Sequence, residues 1–214
     1  MKATFILLTL LGLLISCDSS DTNKSTSDSV HQDSDTLSVD SRRQILIAEL
    51  KRIGSVFLTN DKTKIADIFS FPLVDTVFNV YVGDTTYFND YKKNGDKITK
   101  DMFIQYYPQI RNDFSFADIH QVFNYLPLDS LMHKDTLSYD LKIKTERCYK
   151  FYNVYIDNDI VTLRFGSDKN NQYIDTSKLS EDNEGSGDEC EYASFWTFRF
   201  DGQKLHFEKQ LSAG

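Results

Sequence analysis

The residues of this 214-residue chain best suited to chemistry are its three cysteines. Cys17 closes the stretch Leu14-Ile15-Ser16-Cys17, directly after an apolar run over residues 3–15 that carries no charge. Its thiol is a nucleophile once ionised, and the small Ser16 leaves the preceding peptide bond accessible. Cys148 and Cys190 stand far downstream. There is no CxxC, so the spacing supports neither a thioredoxin-like redox pair nor a cysteine zinc site. Other groups are scattered. His31, His120, His133 and His206 form no HExxH, and the chain has no GxSxG, no GxxxxGK[ST] and no GxGxxG. Carboxylates are plentiful, but no spacing singles out a pair for acid–base work. Catalytic residues therefore stay unassigned, and no motif asks for a cofactor or a resident metal.

The elements around Cys17 say what its thiol meets. Lys2 supplies a positive start, residues 3–15 a short apolar core and Ser16 a small residue, the pattern of a secretory signal peptide. The run is too short to span a bilayer, which needs about 20 residues. Leu14-Ile15-Ser16-Cys17 resembles the lipobox of bacterial lipoproteins. The resemblance implies a diacylglyceryl group on the Cys17 thiol, removal of residues 1–16, and acylation of the new N-terminus with a palmitate-type chain. Several acyl chains together anchor stably where one does not. The partner so implied is a membrane, and the location is the cell envelope. Asp18 resembles the inner-membrane retention signal of enteric bacteria, a rule that need not extend to Bacteroides-type bacteria, and the expectation is the outer membrane. An exported chain meets an oxidising compartment, in which Cys148 and Cys190 either pair as a disulfide or remain two buried thiols.

Residues 17–40 are dominated by Ser, Asp and Thr and cannot bury enough surface to offset their ordering entropy, so they read as a flexible tether carrying His31. Residues 41–214 hold nearly all the large apolar side chains that follow Cys17, enough for one domain. The net charge of −8 and the absence of a basic stripe argue against a nucleic-acid partner.

Within that domain, Leu46, Leu50, Ile53 and Phe57 form a helical stripe from Ser41 onward. Asp61 caps a second helix over residues 62–69, which ends before Phe71-Pro72. Residues 74–82 read as a strand, residues 85–93 as ambiguous, and residues 100–111 as a third helix with Met102, Phe103, Tyr106 and Ile110 buried. A broken helical turn over residues 119–126 follows. From Thr136 the period becomes alternating. Leu137, Tyr139, Leu141 and Ile143 share a face, and further strands cover residues 148–156, 160–165, 192–200 and 204–210. Trp196, Phe198 and Phe200 share a face, and Asp201-Gly202 signals a two-residue hairpin. Residues 167–189 read as a polar loop. Helices followed by hairpin-joined strands give an α+β domain in which helices pack on a curved antiparallel sheet.

That order, with Asn60-Asp61-Lys62, Phe71-Pro72-Leu73, Ile98-Thr99-Lys100-Asp101-Met102-Phe103 and the final meander through Trp196 to Leu205, resembles the NTF2-like (cystatin-like) fold of small exported lipoproteins of Bacteroides-type bacteria. The resemblance covers residues 42–212; fold alone assigns no function, and the preferred expectation is a non-catalytic module whose cavity or sheet surface binds a small molecule or another envelope protein. Some NTF2-like proteins are enzymes, such as ketosteroid isomerase, that use a pocket Asp and Tyr. The alternative is thus a hydrolase or isomerase with an Asp or Tyr that no motif identifies here. A third expectation is an immunity-type protein that blocks a basic partner with its acidic surface. Finally, Asp182, Gly187, Cys190 and Glu191 are similar to the DxDxDGxxCE pattern of Excalibur calcium modules. Glu184 and Ser186 depart from it, so an acidic loop between strands is the expected reading of residues 182–191.

Overall fold

Ser38 opens the first helix by accepting a hydrogen bond from the Ser41 amide, the usual capping role of a serine hydroxyl. The computed structural model describes residues 38–78, 82–173 and 190–214. Helix α1 runs Val39–Thr59, starting two residues before the expected Ser41, and buries Leu46, Leu50, Ile53 and Phe57 on one stripe. Asn60 ends it in the left-handed region, φ 53°, which Asn tolerates better than most residues. Helix α2, Lys62–Ala66, is capped by Asp61 and is shorter than the expected 62–69. The Ile68 and Phe69 amides donate to Ile65 and Ala66, three residues back. The chain thus tightens before Phe71-Pro72, yet Ile65, Ile68 and Phe69 all reach the core.

The expected strand over residues 74–82 is reduced to β1, Leu73–Val74, which pairs with β2, Lys97–Ile98. The amides of Val77 and Phe78 both donate to the Val74 carbonyl and turn the chain. That turn lets Phe78 stack on Phe114, ring centroids 3.8 Å apart; packing overrides β-propensity here. Residues 79–81 lie outside the described set. The ambiguous segment is helix α3, Thr85–Lys93, capped by Asp84. The single helix expected over 100–111 is two: α4, Lys100–Gln105, and α5, Tyr107–Asp113. Pro108 explains the break. Inside a continuous helix its ring would clash with the carbonyl four residues back, whereas in the first turn of α5 its missing N–H costs nothing. Helix α6, Phe116–Tyr125, and a 3-10 turn, Leu128–Met132, complete the helical half.

The rest is a five-stranded antiparallel sheet in the order β3-β4-β5-β6-β7. The strands are Thr136–Leu141, Cys148–Asp157, Ile160–Lys169, Tyr192–Phe200 and Leu205–Ala213. Strand β3 stops at Leu141, leaving Ile143 exposed, and β5 runs four residues past the expected Phe165. Phe200 pairs with Leu205, so the last hairpin has four loop residues instead of two. Asp201 sets that length by accepting from the Gln203 and Lys204 amides.

Register defines the inner face. Val154, Leu163 and Trp196 lie opposite one another on successive strands, as do Ile156, Val161 and Phe198. All six are buried. Trp196 is ringed by Phe57, Phe69, Phe78, Phe114, Phe116 and Phe207, with centroids 5.2–6.1 Å away, distances at which aromatic pairs attract. Rings from the helical half, with Phe207 of β7 beside them, therefore fill the space around the middle of the sheet. On the outer face the Arg164 guanidinium lies 4.4 Å from the Phe151 ring centre and 5.7 Å from that of Phe195. Beneath Phe151 the sheet carries Gly166, where a side chain would collide with the Tyr192 carbonyl.

Candidate functional site

At one end of the same inner face the pattern turns polar. Lys150 on β4 lies opposite Ser167 on β5, which lies opposite Tyr192 on β6. Three adjacent strands thus present one polar row at the parity that elsewhere buries Leu, Phe and Trp. Helix α6 sets Asp118 against this row. One Asp118 oxygen accepts from the Lys150 ammonium at 2.8 Å, the other from the Tyr192 hydroxyl at 3.1 Å. Asp118 is 8% exposed, while the side chain of Lys150 is 49% exposed. A buried carboxylate is thus held by two groups that reach solvent, the pairing that burial of a charge requires.

Four tyrosines bear on the same place. Burial, then the Asp118 charge, pushes the Tyr192 phenol up to about 12. Tyr152 is also raised, first by burial and then by Asp118. Tyr125 stacks on Tyr139 with centroids 4.5 Å apart and an angle of 13°, and its ring lies 5.4 Å from that of Tyr152. Tyr139 and Tyr192 are both more than a third exposed. Tyr149, on the other face of β4, is raised as well, by burial and then by Asp168. Phenols held protonated beside a carboxylate donate hydrogen bonds and offer ring faces; they are poor nucleophiles. The arrangement suits recognition by stacking and hydrogen bonding.

The two downstream cysteines brace this row. Cys148 and Cys190 are joined by a disulfide, with Cα atoms 5.3 Å apart. Cys148 stands two residues before Lys150 and Cys190 two before Tyr192. Cys148 also pairs with Lys169 at the end of β5. Ser167, in the middle of the polar row, donates to the Cys190 carbonyl.

Other sequence candidates fall elsewhere. Cys17, residues 1–16 and His31 lie outside the described residues, as does the 17–40 tether up to residue 37. Of the loop 182–191 only Cys190 and Glu191 are described, the first in the disulfide and the second 3.1 Å from Lys169. His206 is exposed and contacts Asp201 at 2.7 Å; His133 is exposed; His120 has a buried Nε2 without a partner. Among the described residues no three His, Cys, Asp or Glu side chains are placed to hold a metal ion. No helix among them is long and apolar enough to cross a membrane.

Asp118, Lys150 and Tyr192 carry no motif. The one signal is parity. Lys150 alternates with Cys148 and Tyr152, and Tyr192 with Ser194 and Trp196, so both are polar groups at inward positions. Comparisons of the chain with family models, with curated protein sequences and with solved structures give no match. The site therefore rests on its geometry alone.

Proposed function

We propose that this chain is a lipid-anchored envelope protein whose NTF2-like domain is a non-catalytic binding module. It takes its ligand, a small molecule or another envelope protein, at the tyrosine-lined end of the sheet. The observation that carries this reading is the distribution of groups on the inner face. The space around Trp196 is occupied by six phenylalanine rings, and polar contacts gather at the end where Tyr139 and Tyr192 meet solvent. Helices followed by a sequential five-stranded meander support the NTF2-like assignment. The Leu14-Ile15-Ser16-Cys17 pattern supports the anchor and, with it, the outer membrane.

The test is capture from the intact envelope with the wild-type chain and with Tyr139→Ala/Tyr192→Ala. Loss of a specific captured component in the double variant, at unchanged circular dichroism, is the expected result. Equal capture by both would refute this placement of the ligand. For the anchor, Cys17→Ala should move the protein from the membrane to the soluble fraction.

A second reading is a hydrolase or isomerase, favoured by the convergence of a carboxylate and a phenol at Asp118 and Tyr192. Asp118→Asn separates the two. It would abolish turnover by such an enzyme while leaving a binding module able to capture its partner.

A further inference from the structure

A second polar site lies where the C-terminal end of α1, the start of α2 and helix α5 meet. A surface groove there is lined by Asn60, Lys62, Tyr107, Pro108, Arg111 and Asn112. Tyr107 donates its hydroxyl hydrogen to the Asn60 side-chain oxygen at 3.0 Å. That bond uses the acceptor half of the Asn60 amide and leaves its NH2 donors over. Arg111 stands close enough that its charge draws the Tyr107 phenol down against the burial that raises it.

Two cations share this groove. Most cations of the described helices and sheet have a carboxylate: Arg42 with Asp159, Lys51 with Asp129, Lys100 with Asp67, Lys150 with Asp118. Lys62 and Arg111 form no ion pair among the described residues, yet both line one groove in a chain of net charge −8. The adjacent carboxylate, Asp61, is hydrogen-bonded within the first turn of α2, although its charge reaches Tyr107 and raises that phenol less than Arg111 lowers it. One of its oxygens accepts from the Thr63 and Lys64 amides, and the other lies 3.9 Å from the Lys64 ammonium. Asn112 also borders a neighbouring recess that carries Asp84 and Asp113. That acidic flank favours a compact anion over an extended polyanion.

We propose that this groove binds the anionic group, carboxylate or phosphate, of a small ligand. The Arg111 fork and the Lys62 ammonium neutralise it, and the Asn60 and Asn112 amides complete its hydrogen bonding. The site is independent of the tyrosine-lined end, so either stands if the other fails.

The experiment is a nitrogen–proton NMR titration of the full chain with sodium phosphate and, separately, sodium acetate, against sodium chloride at matched ionic strength. The expected result is a saturable shift of the Arg111 Nε–H and the Asn60 and Asn112 side-chain amides with at least one of the two anions and with no counterpart in chloride. Saturation by phosphate alone assigns a phosphoryl ligand; saturation by acetate assigns a carboxylate. Lys62→Gln/Arg111→Gln should weaken binding at least about tenfold, since each lost contact is a charged one, while Lys93→Gln/Lys97→Gln should leave it unchanged. The proposal is overturned if neither anion saturates, if chloride gives the same shifts, or if the Lys62/Arg111 variant binds as the wild type does.

Discussion

Replacing Asp118 by Asn removes one charge from the candidate site and keeps its shape. In the wild type the carboxylate side chain is 11% exposed and accepts from Lys150 and Tyr192. The amide retains one acceptor oxygen, so one of the two contacts survives. The Lys150 side chain is 49% exposed, so its ammonium can turn to water and leaves no stranded charge behind. The loss is then one charge-assisted hydrogen bond, worth about 1.5–3 kcal/mol when shielded, discounted for the solvent at the Lys150 end. We expect about 1–2 kcal/mol less stability by urea unfolding at pH 7. Tyr192 supplies an independent reading. Its folded value, about 12, lies above its unfolded value, so its contribution is fully present below about pH 10 and is lost as pH rises through 12. Burial is the larger cause and remains in the variant, so the phenol should fall only part of the way towards 10, and the alkaline loss of stability, which still begins near pH 10, should be smaller and complete at a lower pH. Phenolate absorbance of each protein minus that of its Tyr192→Phe counterpart isolates this one group. An unmoved Tyr192 titration, or an Asn variant as stable as the wild type, would refute the contact network.

Three further perturbations probe the frame that holds this site. In Gly166→Ala the new Cβ would lie 2.0 Å from the Tyr192 carbonyl oxygen and 2.9 Å from the Ala193 Cα. Backbone cannot yield cheaply there, so urea unfolding should show a loss of about 3 kcal/mol. Removing the disulfide with Cys148→Ala/Cys190→Ala opens a loop with a sequence separation of 42. Chain entropy puts that at about 4 kcal/mol, read as a lower unfolding midpoint; an unchanged midpoint would count against the bond. Trp196→Ala empties the ring cluster and should cost about 3–5 kcal/mol, with loss of the near-ultraviolet dichroism that packed aromatics give.

The parts of the fold legible in the sequence are those in which one period persists. The α1 stripe from Leu46 to Phe57 and the shared face of Trp196, Phe198 and Phe200 in β6 could be read because each repeats one pattern through its element. Where a single residue decides, the pattern misleads. Pro108 splits one apolar stripe into α4 and α5, since the stripe records which side faces the core and not whether the backbone is continuous. Residues 74–78 carry β-branched and aromatic side chains but turn, because Phe78 gains more by stacking on Phe114 than the segment would gain as a strand. Asp201 lengthens the final hairpin through two backbone hydrogen bonds that no hydrophobic pattern encodes.

The candidate site was hidden for a different reason. Lys150, Ser167 and Tyr192 are separated in sequence by intervening strands, and only register places them in one row. Asp118 joins them from α6, where a lone acidic residue on an otherwise buried face looks like ordinary helix decoration. Parity within a strand identifies Lys150 and Tyr192 as exceptions, but an exception becomes a site only when several meet. Here they meet where the aromatic packing around Trp196 gives way to stacked, half-exposed tyrosines. A polar row at the margin of a filled core costs the fold little, because its lysine and phenols still reach water. The same row deeper in, at the level of Leu163 and Trp196, would strand a charge among phenylalanines. Stability thus confines polar chemistry on this face to its open end, which is where the proposed ligand site lies.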